Sequence, residues 1–319
     1  MPPLRIIFCG TPAFAVPSLR HLLALPEFKI EGVVTQPDRP RGRGHAVTSS
    51  PVKEAATAGG IPVYQPQKIR AEEAYEYFQR AAPDVVVIIA YGQIIPARLI
   101  EVPRLGWINL HGSLLPKYRG AAPIHWAIAN GETRTGLTTM RIDAGLDTGP
   151  MLLKHETEIG PDETATELYA RLADAGAPLI ADTLRGLERK AITPIPQDNS
   201  QASLARPLKK EDGRIDWTLP AQKIYNRMRG FQPWPGAFTL FRGKQCAIGG
   251  KPAVADDAQR AAAALAPGTI SVDGTDIDVT CGEKTVLRLD FVQMEGRKRT
   301  TAREFANGAR LESGERFGS

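Results

Sequence analysis

An asparagine and a histidine stand two residues apart in Asn109-Leu110-His111-Gly112-Ser113-Leu114-Leu115-Pro116. Along an extended chain side chains alternate, so Asn109 and His111 point to one side and Leu110 to the other. A carboxamide N–H can stabilise a developing oxyanion, and an imidazole can hold or relay a proton near neutral pH. The same two residues also suit a plain core histidine beside a turn-forming asparagine.

A second segment bears on that choice. Asp143-Ala144-Gly145-Leu146-Asp147-Thr148-Gly149 follows the apolar run 136–142. A buried carboxylate facing His111 would favour the charged imidazole and fix its orientation. The competing reading is an Asx-type turn with solvated carboxylates. A calcium loop is excluded because no later acidic ligand completes one. The sequence also argues against a dinucleotide site after the first strand. Cys9-Gly10-Thr11-Pro12 lacks the second and third glycines of the fingerprint, and Pro12 removes an amide.

These residues need a scaffold at a strand's carboxyl end, and the chain around them supplies one. Residues 4–10, 30–35, 84–90 and 108–111 read as buried strands. Helical patterns fall at 16–25, 52–58 with Pro51 in the first turn, 72–82 and 124–129. This alternation predicts an α/β fold with a Rossmann-like, mostly parallel sheet and helices on both faces. Its ligand site belongs beyond the carboxyl ends of the strands. Residues 163–190 continue as a helical stretch that Gly176 and Pro178 could kink or divide. The polar stretch 191–206 reads as a linker. From Pro207 the pattern changes to a strand at 215–217, a helix at 221–231 and five runs of period-two alternation between 237 and 291. That order predicts a small antiparallel barrel after a catalytic domain of residues 1–190, with 207–319 as the second domain.

The segments FCGTP (8–12), VTQPDRPRGRG (34–44), INLHGSLLPKYRGAAPIHWA (108–127) and DAGLDTGPML (143–152) together resemble the family that uses 10-formyltetrahydrofolate to formylate amines. The likeness runs in order to about residue 152 and resumes at FQPWPGAF (231–238). It implies a catalytic trio of Asn109, His111 and Asp147. It implies a folate-binding tetrapeptide of Ser113, Leu114, Leu115 and Pro116. The strand end Ile89, Ala90, Tyr91 and Gly92 and the loop from Asp143 to Leu146 would flank the pterin. The PDRPRGRG loop and the additional C-terminal domain resemble the branch that formylates methionyl initiator tRNA. The second domain would then be an OB-like RNA-binding barrel, and no metal is implied.

On its own residues, the loop 37–50 is a basic, Gly/Pro-rich surface loop. By the same resemblance Arg43 first, then Arg39, would grip the tRNA acceptor end, as arginine suits phosphate and stacked bases. Lys209, Lys210, Arg227, Arg229 and Arg297–Arg299 are further candidate phosphate contacts. Trp107, Trp126, Trp217 and Trp234 read as packing residues.

The bulk properties agree with a folded enzyme. The 319 residues are 42% hydrophobic and 24% charged, and no run of 18 apolar residues occurs. The N-terminal MPPLRIIFCG reads as a first strand rather than a signal peptide. Three cysteines at unhelpful spacings argue against a disulfide framework or zinc site and fit a reducing, cytoplasmic setting. The formal charge is +5, with 18 Lys/Arg against 14 Asp/Glu in residues 207–319. That is a modest sign of a polyanionic partner. A monomer is expected. An amino-sugar-nucleotide formyltransferase and a non-catalytic RNA-binding protein are the rival readings. The basic loop and tail argue against the first, and the intact trio against the second.

Overall fold

The computed structural model describes residues 2–41, 46–253, 265–273 and 276–318. Arg43, His45 and the alanine-rich stretch 261–264 lie outside them. Two compact units emerge. The first comprises Met1–Pro123, Arg134–Glu158 and Glu167–Arg206, and the second Ile124–Thr133, Ile159–Thr166 and Pro207–Ser319.

In chain order the elements up to Ala205 are β1 (Leu4–Gly10), α1 (Val16–Leu23), β2 (Phe28–Val34), β3 (Arg39–Arg41), β4 (Ala46–Thr48), α2 (Pro51–Ala58), β5 (Val63–Tyr64), α3 (Glu72–Ala81), β6 (Val85–Ile89), α4 (Ala97–Ile100), β7 (Trp107–His111), β8 (Arg119–Gly120), α5 (Pro123–Ala129), β9 (Arg134–Arg141), β10 (Met151–Glu158), α6 (Ala165–Glu188) and β11 (Leu204–Ala205). The main sheet runs β10-β9-β7-β6-β1-β2-β5. β5, β2, β1, β6 and β7 are parallel, while β9 is antiparallel to both β7 and β10. The strand order reverses between β1 and β6, which opens a crevice at their carboxyl ends.

The wholly apolar β6, and β1 with Arg5 as its one charged residue, follow from helices on both faces. On one face Ile7, Cys9, Val86, Ile88 and Trp107 pack with Phe78 of α3 and Leu99 of α4. On the other, Leu110 and Leu137 meet α6 at Gly176, where an added Cβ would stand 2.5 Å from Leu110 Cδ2. Glycine there allows the long helix to lie close against β7. Pro178 does not divide that helix, which is continuous from Ala165 to Glu188. β10 was not evident from sequence, since only its first three residues are apolar and the rest is polar LysHisGluThrGlu.

Residues 191–206 lie along the first unit. Ile195 bridges Met151, and β11 pairs parallel with β8 through Leu204↔Arg119 and Ala205↔Gly120. The basic loop forms a ribbon whose described arms pair as Arg39↔Thr48, Pro40↔Val47 and Arg41↔Ala46.

The second unit contains α7 (Ala221–Gly230), β12 (Phe238–Phe241), β13 (Lys244–Pro252), β14 (Ile270–Asp273), β15 (Asp276–Thr280), β16 (Val286–Met294), β17 (Thr300–Thr301) and α8 (Ala302–Ala309). Its antiparallel sheet is ordered β12-β13-β16-β15-β14, with β17 on β16. Bridges Phe241↔Phe317 and Thr269↔Arg316 join both edges to the C-terminal tail, so the strands close into a small barrel. Trp217, Phe241, Phe305 and Phe317 sit in its core. The expected strand at 215–217 reduces to one bridge, Arg214↔Phe238. Asp216 instead accepts hydrogen bonds from Thr218 N at 3.0 Å and Thr218 Oγ1 at 2.6 Å, which turns the chain.

Ile124–Thr133 and Ile159–Thr166 join this unit through close packing. An added Cβ on Gly230 would stand 2.7 Å from Ala129 N, and Trp126 meets Phe231 edge-on at 5.3 Å. Arg229 is buried and donates to Asn226 Oδ1 and to the carbonyls of Gly160 and Glu163. It is therefore a structural staple rather than a phosphate contact. Trp107 and Trp217 are buried as expected, but Trp234 is 54% exposed.

Candidate active site

β7 sets the first two site residues. Its pairing Ile88↔Asn109 and His111↔Thr138 places both side chains on one face near the strand's end. The third comes from the turn between β9 and β10. Asp147 has φ 51, in the left-handed region, where Asp is among the more tolerant residues. That backbone aims its carboxylate back at β7. Asn109 Nδ2 donates to Asp147 Oδ1 at 3.4 Å, and Asp147 Oδ2 stands 3.6 Å from His111 Nδ1. The main-chain N–H of Gly120 donates to Oδ2 at 2.9 Å.

The imidazole has a defined tautomer. His111 Nε2 lies 2.9 Å from the carbonyl oxygen of Tyr118. A carbonyl only accepts, so Nε2 carries a proton and donates. Nδ1 is then the nitrogen that gains or loses a proton. At 3.6 Å from Asp147 it is within ion-pair range but beyond a hydrogen bond. The carboxylate supports positive charge on the ring without taking a hydrogen bond from Nδ1. The His111 and Asp147 side chains are 6% and 15% exposed, so water screens this pair weakly.

The expected folate residues divide. Ser113 and Leu115 turn inward: Ser113 Oγ donates to Lys117 O at 2.7 Å, and Leu115 packs with Met140 and Met151. Leu114 and Pro116 remain partly exposed. The tetrapeptide's backbone is pinned by Thr138 Oγ1, which donates to Ser113 O at 2.8 Å and accepts from Leu115 N at 3.1 Å. Ile89 is buried inside β6. Ala90 at φ 49 and Gly92 at φ 87 turn the chain over the sheet edge. Asp143 Oδ1 accepts from Gly145 N at 3.0 Å and Thr148 Oγ1 at 2.7 Å, the Asx turn foreseen as an alternative. Leu146 projects from that turn and is 62% exposed.

A cleft of ≈ 350 Å³ occupies the crevice at the strand-order switch, lined by Thr11, Gln36, Arg39, Ser50, Ala90 and Gly92 among others. Ala90, Tyr91 and Gly92 thus share a cavity with Arg39. Gln36, missed in the sequence reading, donates from Nε2 to Tyr91 O at 3.1 Å, and Thr11 Oγ1 donates to the same carbonyl at 3.2 Å. The Tyr91 ring is buried, and burial raises its phenol well above the ordinary value. It contributes packing and a carbonyl, not an acid. Asp38 is held below the usual carboxylate range by hydrogen bonds from Lys53 and Gln65.

Lys209 and Lys210 are exposed in the second unit, at the entry to a 3-10 turn. Among the described residues no three His, Cys, Asp or Glu side chains are grouped to hold a metal ion, and no helix is long and apolar enough to cross a membrane. Gly120 and Gln197 hold Asp147, and Arg119 holds Gln197. Arg119 and Gly120 fall in the quoted 108–127 segment without an assigned role, and Gln197 stands in the polar stretch read as a linker.

Residues 4–184 match the formyl transferase family, and residues 207–310 match the formyl transferase C-terminal domain. The chain is 54% identical over 315 residues to the methionyl-tRNA formyltransferase of Solibacter usitatus, with 99% of each chain covered. It is 50% identical over 316 residues to that of Geobacter metallireducens, again covering 99% of each. Among solved structures it is similar to WlaRD, a sugar 3N-formyl transferase crystallised with dTDP and 5-N-formyl-THF. The TM-score is 0.65 at 18% identity, over 92% of this chain and 99% of that one. HypX from Aquifex aeolicus in complex with tetrahydrofolic acid shares the fold at TM-score 0.59 and 15% identity, covering 95% of this chain and 47% of that one. The full-length identity, both matched domains and the fold together place this chain in the formyl transferase family, among the methionyl-tRNA formyltransferases.

Proposed function

We propose that the chain transfers the formyl group of 10-formyltetrahydrofolate to the α-amino group of methionyl initiator tRNA. The observation that carries the reading is the convergence of Asn109, His111 and Asp147 from a strand end and a distant turn, within 3.4 and 3.6 Å of one another. The full-length likeness to methionyl-tRNA formyltransferases supplies the acceptor class.

The amine must be neutral to attack the formyl carbon, and its attack generates a tetrahedral alkoxide. One N–H of Asn109 is directed at Asp147, which leaves the other for that oxygen. Protonated Nδ1 of His111 can donate a second hydrogen bond to it, because Nε2 is engaged by Tyr118. Such donors act where charge develops, and losing one typically costs about 10²–10³ in turnover. Asp147 stabilises the charged ring. The Nδ1 proton is then placed to reach the departing folate nitrogen as the C–N bond breaks, and the proton shed by the attacking nitrogen returns to Nδ1, so the ring ends as it began.

Leu146, Leu114 and Pro116 offer apolar surface for the folate rings, with Ala90 and Gly92 at the cleft edge. Arg39 lines the same cleft and suits the phosphates and bases of an acceptor end. Arg43, four residues further along the sequence, and Lys209 and Lys210 in the barrel would add salt-dependent contacts. We read the protein as a cytoplasmic monomer. Burial pushes the thiols of Cys9, Cys246 and Cys281 up, so all three stay protonated and inert.

The test is a formyl-transfer assay with 10-formyltetrahydrofolate and two acceptors, charged initiator tRNA and an amino sugar nucleotide. Preference for the tRNA is expected. A higher kcat/KM for the sugar would overturn the acceptor assignment.

A further inference from the structure

The best-connected groups around the site that the mechanism leaves unused lie behind Asp147. Its left-handed backbone is disfavoured for a residue with a side chain, so the turn needs an external hold. Gln197, fifty residues on, provides it. Gln197 Nε2 donates to the carbonyl of Asp147 and to that of Gly149, both at 2.8 Å. A carboxamide has two N–H bonds, one for each carbonyl.

The carboxamide cannot be turned round. Gln197 Oε1 accepts from Arg119 Nε at 2.9 Å and Arg119 Nη2 at 2.8 Å. A guanidinium only donates, so the amide oxygen must face Arg119 and the NH₂ must face the turn. Arg119 is 7% exposed and also donates to Asn199 Oδ1 at 2.9 Å. Its neighbours in sequence hold the catalytic groups directly: Tyr118 O accepts a hydrogen bond from His111 Nε2, and Gly120 N donates to Asp147 Oδ2. Gln197 therefore ties the segment that orients His111 to the turn that presents Asp147.

We propose that Gln197 is a positioning residue for formyl transfer, acting through the backbone of Asp147 and locked in its own orientation by Arg119. The inference rests on the site reading above. Its mechanism is geometric. Without the two N–H donors the turn loses its hold at Asp147, and the carboxylate shifts against Nδ1. Displacements near 1 Å at a reacting centre cost about 10²-fold.

The experiment pairs Gln197→Glu and Gln197→Met with Asp147→Ala in a double-mutant cycle, in the full chain, under saturating 10-formyltetrahydrofolate and charged initiator tRNA. Glutamate keeps an oxygen for Arg119 but turns an acceptor toward the two carbonyls, so it preserves the fold while removing the hold. Methionine removes both functions at similar size. Both variants are expected to lower kcat about 10–100-fold, with KM for each substrate within about twofold. On the Asp147→Ala background either change should cost less than about twofold more, since there is no carboxylate left to position. Folate affinity by titration calorimetry reports an intact site in each variant. Wild-type turnover in Gln197→Glu, or the same fold-loss with and without Asp147, would overturn the proposal. Should Asp147→Ala itself turn over normally, the site reading fails as well. Should Asp147→Ala be slow while the Gln197 variants match wild type, only the positioning role fails.

Discussion

Replacing Asp147 by asparagine is the sharpest probe of the site, because size is kept and charge removed. At 3.6 Å from His111 Nδ1 and an effective dielectric near 20, the carboxylate attracts a protonated ring by about 4.6 kcal/mol. That is a ceiling. The Asp147 side chain is 15% exposed and solvent reorganises around the variant, so roughly 2–3 kcal/mol is the working figure. At 1.36 kcal/mol per tenfold this slows transfer by about 30- to 150-fold. A second loss follows from the hydrogen bonds. Gly120 N must keep an acceptor, so the new amide oxygen takes the Oδ2 position and its NH₂ faces the Asn109 NH₂. Asn109 relieves this clash only by turning its oxygen inward, which withdraws its donor from the alkoxide. Losing an oxyanion donor costs about 10²–10³ by itself. Since both effects appear in the transition state, kcat should fall by at least about 100-fold while KM for tRNA and folate stays within a few-fold. Single-turnover transfer of labelled formyl to charged tRNA measures this. A variant within fivefold of wild type would refute the proposed roles of both side chains.

Three further outcomes follow from other parts of the molecule. Arg39→Ala should raise KM for tRNA and reduce the steepness of log kcat/KM against log salt by about 0.7–0.9, the value for one lost phosphate contact; identical slopes would make Arg39 a bystander. Gly176→Val should destabilise by about 1–3 kcal/mol in urea unfolding, because its Cβ would stand 2.5 Å from Leu110 Cδ2 under the catalytic strand; an unchanged midpoint would show that α6 shifts freely. Burial lowers the His125 imidazole below its ordinary value, so its stabilising neutral form is fully present above pH ~6.5 and that contribution is lost as pH falls through the lowered value. His125→Gln should narrow the gap in melting temperature between pH 7.5 and pH 5.5, and an equal gap would remove His125 as the cause.

Much of this protein was legible in its residues. Period-two alternation predicted that Asn109 and His111 share a face, and β7 shows it, with Leu110 on the other side under α6. The buried strand β6 was plain as a continuous apolar run, and β1 as one broken only by Arg5, because covered parallel strands need no polar face. The barrel strands after Pro207 were visible for the opposite reason, as one face is wet. Local chemistry was legible too: Pro51 stands in the first turn of α2 as expected, and there the structure adds a cap, Ser50 accepting from Lys53 N at 3.1 Å.

What escaped the sequence reading depends on partners far along the chain. β10 is mostly polar and becomes a strand through its ladder with β9. Arg229 looks like any surface cation until Gly160 and Glu163 surround it. Trp234 looks like core and is half exposed. The choice of Nδ1 as the working nitrogen is made by one carbonyl at Tyr118, and the aim of Asp147 by a glutamine from an unremarkable polar stretch. Residue type and spacing determined which groups could do the chemistry, because alternation and capping are properties of a few neighbouring residues. Their tautomer, orientation and support were decided by tertiary structure alone, because a hydrogen bond between residues 147 and 197 exists only once folding brings them within 2.8 Å.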